Sequence, residues 1–163
     1  MGADIHCFVE YRVPGSERWL SFGREMSLRR NYRAFAKLAG VRGDAPVFEP
    51  RGIPDGELSY WARDAYYLRI SGHANAEDWD GFTTPEKAAR WALQGKAYIY
   101  DKDGKPLSIE HPDWHTPTWL TGDEWRSVVD DLVYGPEYRA VGAAMRSLED
   151  EGHETRAVFW FDN

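Results

Sequence analysis

The stretch Ala3-Asp4-Ile5-His6-Cys7-Phe8-Val9-Glu10-Tyr11-Arg12-Val13 decides the fold class. Ile5, Cys7, Val9 and Tyr11 fall on one side of it, and Asp4, His6, Phe8 and Glu10 on the other. A period of two over this length predicts a strand with one side turned to a core. Pro14-Gly15-Ser16 is turn chemistry, and Arg18 to Phe22 then reads as a returning strand, which makes a hairpin. At the far end of the chain, Thr155 to Asp162 is apolar and aromatic enough for a central strand.

Between these strands the punctuation is helical. Asn31 is a good N-cap for a helix through Ala39, with Gly40 as its stop. Thr84-Pro85-Glu86 opens a second helix to about Gln94, with Gly95 behind it. Thr121 caps a third through about Val133, with Glu124 three residues on completing a capping box. A fourth runs from Glu137 to Asp150, its Tyr138, Val141, Met145 and Leu148 forming one stripe. Ala97 to Tyr100 and Pro106 to Ile109 flank Asp101-Lys102-Asp103-Gly104, a hairpin signal. Leu58 to Ile70 suits helix or strand, Ser71 to Phe82 reads as irregular, and His111 to Pro117 reads as a loop. The expectation is an α+β fold, a mainly antiparallel sheet with N- and C-terminal strands packed by three to four helices. One domain spans 1–163.

Composition narrows the function classes. The 163 residues hold 27 acidic and 20 basic side chains, a net charge of −7. Nucleic-acid binding needs many cations to replace phosphate counterions, so it is not expected. No apolar run approaches a membrane span, and mean hydropathy is −0.64. The opening residues carry no basic segment followed by an apolar one, so a secreted chain is not expected either, and the reading is cytoplasmic. The single cysteine, Cys7, falls on the core side of its strand and is expected to pack rather than react. Eight Trp, nine Tyr and seven Phe let a modest chain hold a firm core, and rings left over would line a pocket or a protein interface.

Several polar residues could carry chemistry. Asp4 and His6 share a strand face and suit a metal or an oriented acid–base pair, or simply a polar face. His111-Pro112-Asp113-Trp114-His115 is the densest cluster of ligand-type side chains. His111, Asp113 and His115 could join Asp4 and His6 around zinc, manganese or iron, or lie in a hydrogen-bonded surface loop. Arg29, Arg30, Arg33 and Arg51 suit a phosphate or carboxylate, or ion pairs with the abundant acids. Arg51-Gly52-Ile53-Pro54-Asp55 is either a ligand clamp or a turn. His73 and His153 are expected to be solvated. No P-loop, GxGxxG or Ser-His-Asp pattern is present.

Taken together, these segments resemble a family of small bacteriophage proteins. The residues that carry the likeness are Met1-Gly2-Ala3-Asp4-Ile5-His6, Arg30-Asn31-Tyr32, Leu38-Ala39-Gly40-Val41-Arg42 and Pro50-Arg51-Gly52-Ile53-Pro54-Asp55. Asp113-x-His115, Trp119-Leu120-Thr121 and the ending Val158-Phe159-Trp160-Phe161-Asp162-Asn163 complete the set. The resemblance implies a shared fold and a phage accessory role, with 60–108 as an insertion beyond the family core. It does not imply a reaction.

The leading expectation is a pocket for a phosphorylated, nucleotide-like ligand in an anti-defence protein. Arg30, Asn31, Arg51 and Asp55 would bind the ligand. Asp4, His6, Asp113 and His115 would supply hydrolytic acid–base chemistry, or Asp4, His6 and His115 would hold a divalent metal. The alternative is a non-catalytic inhibitor of the anti-CRISPR type, binding a host protein complex through an acidic, Trp-rich surface.

Overall fold

A computed structural model describes residues 2–74 and 81–163. In chain order its elements are β1 (Ile5–Arg12), β2 (Leu20–Phe22), α1 (Tyr32–Ala39), α2 (Tyr60–Tyr66), β3 (Tyr67–Ile70), β4 (Phe82–Thr83) and α3 (Pro85–Leu93). There follow β5 (Tyr98–Tyr100), β6 (Pro106–Glu110), β7 (His115–Thr121), α4 (Gly122–Val129), α5 (Pro136–Asp150) and β8 (Glu154–Phe161). The fold is α+β, with two sheets in which antiparallel pairing dominates. Among the described residues there are five helices rather than three to four. The added one is α2, in the stretch that suited either state: its first half is helix and its second half is strand. Part of 71–82, expected to be irregular, lies outside the described residues.

The chain divides into two compact units, residues 1–62 with 115–163, and residues 63–114. The reading of one domain over 1–163 marked 60–108 as an insertion, a stretch that overlaps the second unit.

In the first unit the sheet order is β2-β1-β8-β7. The two terminal strands pair antiparallel over eight residues, from Ile5 opposite Phe161 to Arg12 opposite Glu154. Ile5, Cys7 and Val9 then share a face with Ala157, Phe159 and Phe161. Helices α1, α4 and α5 add Phe35 and Leu38, Trp125 and Val128, and Tyr138 and Met145 to the same core. Inside it, Trp125 Nε1 donates to the Tyr138 carbonyl at 2.8 Å, so the indole brings no unsatisfied donor with it.

The other face of β1 is covered as well, which the alternation of β1 did not indicate. Phe8 is buried and stacks on Trp160 at 5.3 Å, and Glu10 is fully buried. The Glu10 carboxylate accepts from Arg156 Nε at 2.6 Å and from the Ser59 backbone N–H. A buried carboxylate is tolerable only with such partners.

The segment His111 to Pro117, expected as a loop, enters strand at His115. Pairing of β7 with β8 is irregular between His115 and Thr118, where Thr116 adopts φ +51 and Pro117 has no N–H to give. β7 lies at the edge of its sheet, the place where proline in a strand is tolerated. The second unit has its own sheet, β4-β3-β6-β5, and a small core of Leu68, Ala88 and Ile109 with Ile70, Trp91 and Tyr98.

Candidate functional site

The opening motif builds a polar knot where β1 begins and β8 ends. Arg30 donates from Nε and Nη2 to the two carboxylate oxygens of Asp4, both at 2.9 Å. The Arg30 fork lies over Gly2, where a Cβ would come within 2.0 Å of Nη1, so the motif's glycine makes room for the pair. Ala3 is fully buried. The Asp4 N–H donates to Asp162 Oδ1 at 3.0 Å, and the Asp162 N–H donates to the Asp4 carbonyl at 3.1 Å. His6 bridges two acids, with Nδ1 2.6 Å from Glu25 Oε1 and Nε2 2.9 Å from Asp162 Oδ2. The hydrogen bond from Arg30 holds the Asp4 carboxyl below its usual range. Burial opposes charge on His6, yet the hydrogen bonds to Glu25 and Asp162 outweigh it and raise its pKa.

This geometry does not bring the residues of the metal reading together. The two carboxylates of His6 sit on opposite ring nitrogens, so one ion could not be shared by all three groups. Antiparallel partners share a face. His6 pairs with Trp160, whereas His115 pairs with Phe161, the next residue of β8, and stacks on it at 6.1 Å. His6 and His115 therefore lie on opposite faces of the sheet. His115 Nδ1 is 2.9 Å from Thr116 Oγ1, and its Nε2 is buried without a partner. Asp113 belongs to the second unit, and its backbone N–H donates to His111 Nδ1 at 3.1 Å. Among the described residues, no three His, Cys, Asp or Glu side chains are grouped to hold a metal ion.

The expected anion-binding residues are committed to the protein itself. Arg30 is taken by Asp4. Arg51 forks onto Glu124, donates to the Trp119 carbonyl at 3.3 Å and lies 4.8 Å from the Trp119 ring. The Glu124 contact holds Arg51 firmly charged. Asn31 caps α1, its side chain accepting from the Ala34 N–H at 3.1 Å and donating to the Tyr134 carbonyl at 3.3 Å. The ion pairs are the second possibility that the sequence left open for the arginines, and the cap is the one that Asn31 indicated as a helix start.

A cavity of about 590 Å³ lies elsewhere in the first unit. β7 pairs with β8 down to Thr121 opposite Arg156, and the next residue, Gly122, already starts α4. Glu154 and Thr155 of β8 extend past that point with no partner from β7. The space left open is walled by Trp19 and Trp119, with Asp55 on the loop after Arg51. Gly122 is needed here, because a Cβ would meet Thr155 Oγ1 and Glu149 Oε2 at 2.7 Å each. Arg12 and Arg156, both lining residues, place their guanidinium carbons 4.4 and 4.0 Å from the Trp19 ring centroid.

Of the expected site residues, only Asp55 lines this cavity. Trp19, Trp119, Arg12, Arg156, His153 and Thr155 were not anticipated as a site. The signal for them was the number of large rings, of which any left over from the core were expected at a pocket or a protein interface. His153, expected to be solvated, is half-buried, meets Tyr11 edge-on at 5.3 Å and has a buried Nδ1 without a partner. No protein-family model, curated protein or solved structure matches this chain.

Proposed function

We propose that this chain binds a small planar ligand of the nucleobase type in the cavity walled by Trp19 and Trp119. The observation that carries the reading is the cavity itself. Its volume of about 590 Å³ suits a small organic ligand, and two half-buried indoles, Trp19 and Trp119, are among its lining residues. Stacking of a base on an aromatic side chain contributes about 1–3 kcal/mol and tolerates any base.

Asp4, His6 and His115 are not part of the lining, so the reading is of binding, and hydrolysis is not assigned to them. Sequestering a host nucleotide signal is the anti-defence role that such binding would serve, in keeping with the resemblance to phage proteins.

A thermal-shift and calorimetric screen of nucleosides and nucleotides tests the reading. A ligand at a hundred times its Kd adds about 2.7 kcal/mol to stability. Trp19→Ala and Trp119→Ala should each weaken binding by about tenfold or more while the chain stays folded. Binding that survives both substitutions unchanged would refute the site.

A further inference from the structure

The cavity's charge bears on which form of such a ligand it takes, an inference that rests on the binding reading above. Four carboxylates line it, those of Asp55, Asp123, Glu149 and Glu154. Glu154 is paired with Arg12 Nε at 2.6 Å. Glu149 and Asp123 are both held by Arg126, at 2.8 and 2.7 Å. Asp55 has no ion-pair or hydrogen-bond partner among the described residues, and it is exposed. The two lining guanidinium groups are occupied in turn: Arg12 by Glu154, and Arg156 by buried Glu10 and the Glu57 carbonyl. Among the described residues, Asp55 is thus the one lining carboxylate without a cation partner, and both lining guanidinium groups are paired with carboxylates.

Two buried polar atoms of lining residues also lack hydrogen-bond partners. Thr155 is only 7% exposed, and its Oγ1 has no hydrogen-bond partner; the same holds for His153 Nδ1. Leaving such buried polar atoms unsatisfied is costly, and native proteins rarely do so without a reason. Both residues line the cavity beside Glu149 and Gly122.

We infer that the cavity selects an unphosphorylated, hydroxyl-bearing form of its ligand, a nucleoside rather than a nucleotide, with Asp55 as the deciding residue. A carboxylate is an acceptor for ribose hydroxyls. The same carboxylate repels a phosphate, and no free guanidinium offsets that repulsion. This departs from the expectation of a phosphorylated ligand, which relied on Arg30 and Arg51.

The test is calorimetric titration of the full chain and its Asp55→Asn variant with adenosine and with adenosine 5′-monophosphate, at one ionic strength. Asp55 is exposed and makes no contact that the fold needs, so the variant should fold as the wild type does. The wild type should bind adenosine at least about tenfold more tightly than the monophosphate. Asp55→Asn should weaken adenosine, strengthen the monophosphate and bring the ratio to within about threefold. A wild type that prefers the monophosphate, or a ratio that Asp55→Asn leaves unchanged, overturns the inference while leaving the stacking site standing. If neither compound binds, the inference and the binding reading fall together.

Discussion

His6 is gripped at both ring nitrogens, by Glu25 on one side and Asp162 on the other. Such a grip favours the imidazolium and raises the folded-state pKa above the ordinary value near 6.5. The stabilisation it gives is complete below about pH 6.5 and is lost as pH rises through the raised folded value. Wild-type unfolding free energy, measured by urea titration from pH 5.5 to 9, should therefore decline across that window, and His6→Gln should remove the decline. Parallel curves for the two proteins would contradict this account. Glu10 and Arg156 make the opposite kind of pair, buried and insulated from solvent. Arg156→Met leaves the Glu10 carboxylate buried and uncompensated, and should cost about 3–5 kcal/mol. The double variant Glu10→Met with Arg156→Met should recover much of that loss; a double variant no more stable than Arg156→Met alone would argue against the pairing.

At the level of elements, the helix starts were the most legible part of the chain, whereas α4 ends at Val129 and not at about Val133 as expected. The Thr121 side chain accepts from the Glu124 N–H at 3.3 Å and the Glu124 side chain accepts from the Thr121 N–H at 3.1 Å, the reciprocal box that their spacing implied. Gly40 closes α1 at φ +72. Such signals can be read because the capping side chain and the backbone group it satisfies lie within three residues. Thr121→Ala should destabilise the protein by about 1 kcal/mol in urea unfolding. An effect below about 0.3 kcal/mol would mean that water serves α4 as well as Thr121 does. β7 was not legible. Its Pro117 and the positive φ of Thr116 look like loop chemistry, and only its place at the sheet edge makes a strand of it.

Over the whole molecule, the two units are unequally built. The first carries a core of twenty buried residues, including Trp125, Tyr138, Phe35, Phe159 and Phe161. Among the described residues, the second has a cluster of three, Leu68, Ala88 and Ile109, with partly buried neighbours. Regions with little buried apolar area open at lower free energy. Native-state hydrogen exchange should accordingly show β3 and β6 amides exchanging faster than those of β1 and β8. Equal protection in both would show that the units unfold together.

What the sequence determined by itself was local: the alternation of β1, the caps of α1, α3 and α4, the apolar stripe of α5 and the aromatic run of β8. Each rests on residues a few positions apart, and together they specified an α+β chain. Tertiary structure decided which polar residues meet. Asp4 was free to find a ligand, a metal or Arg30, and the choice depended on a segment 26 residues away. The cavity formed because β7 leaves β8 at Thr121 while β8 continues, a mismatch of strand lengths that no stretch of either strand encodes alone. Proximity between distant segments is set by the packing of the whole core, which is why the rings could be counted in the sequence and their places could not.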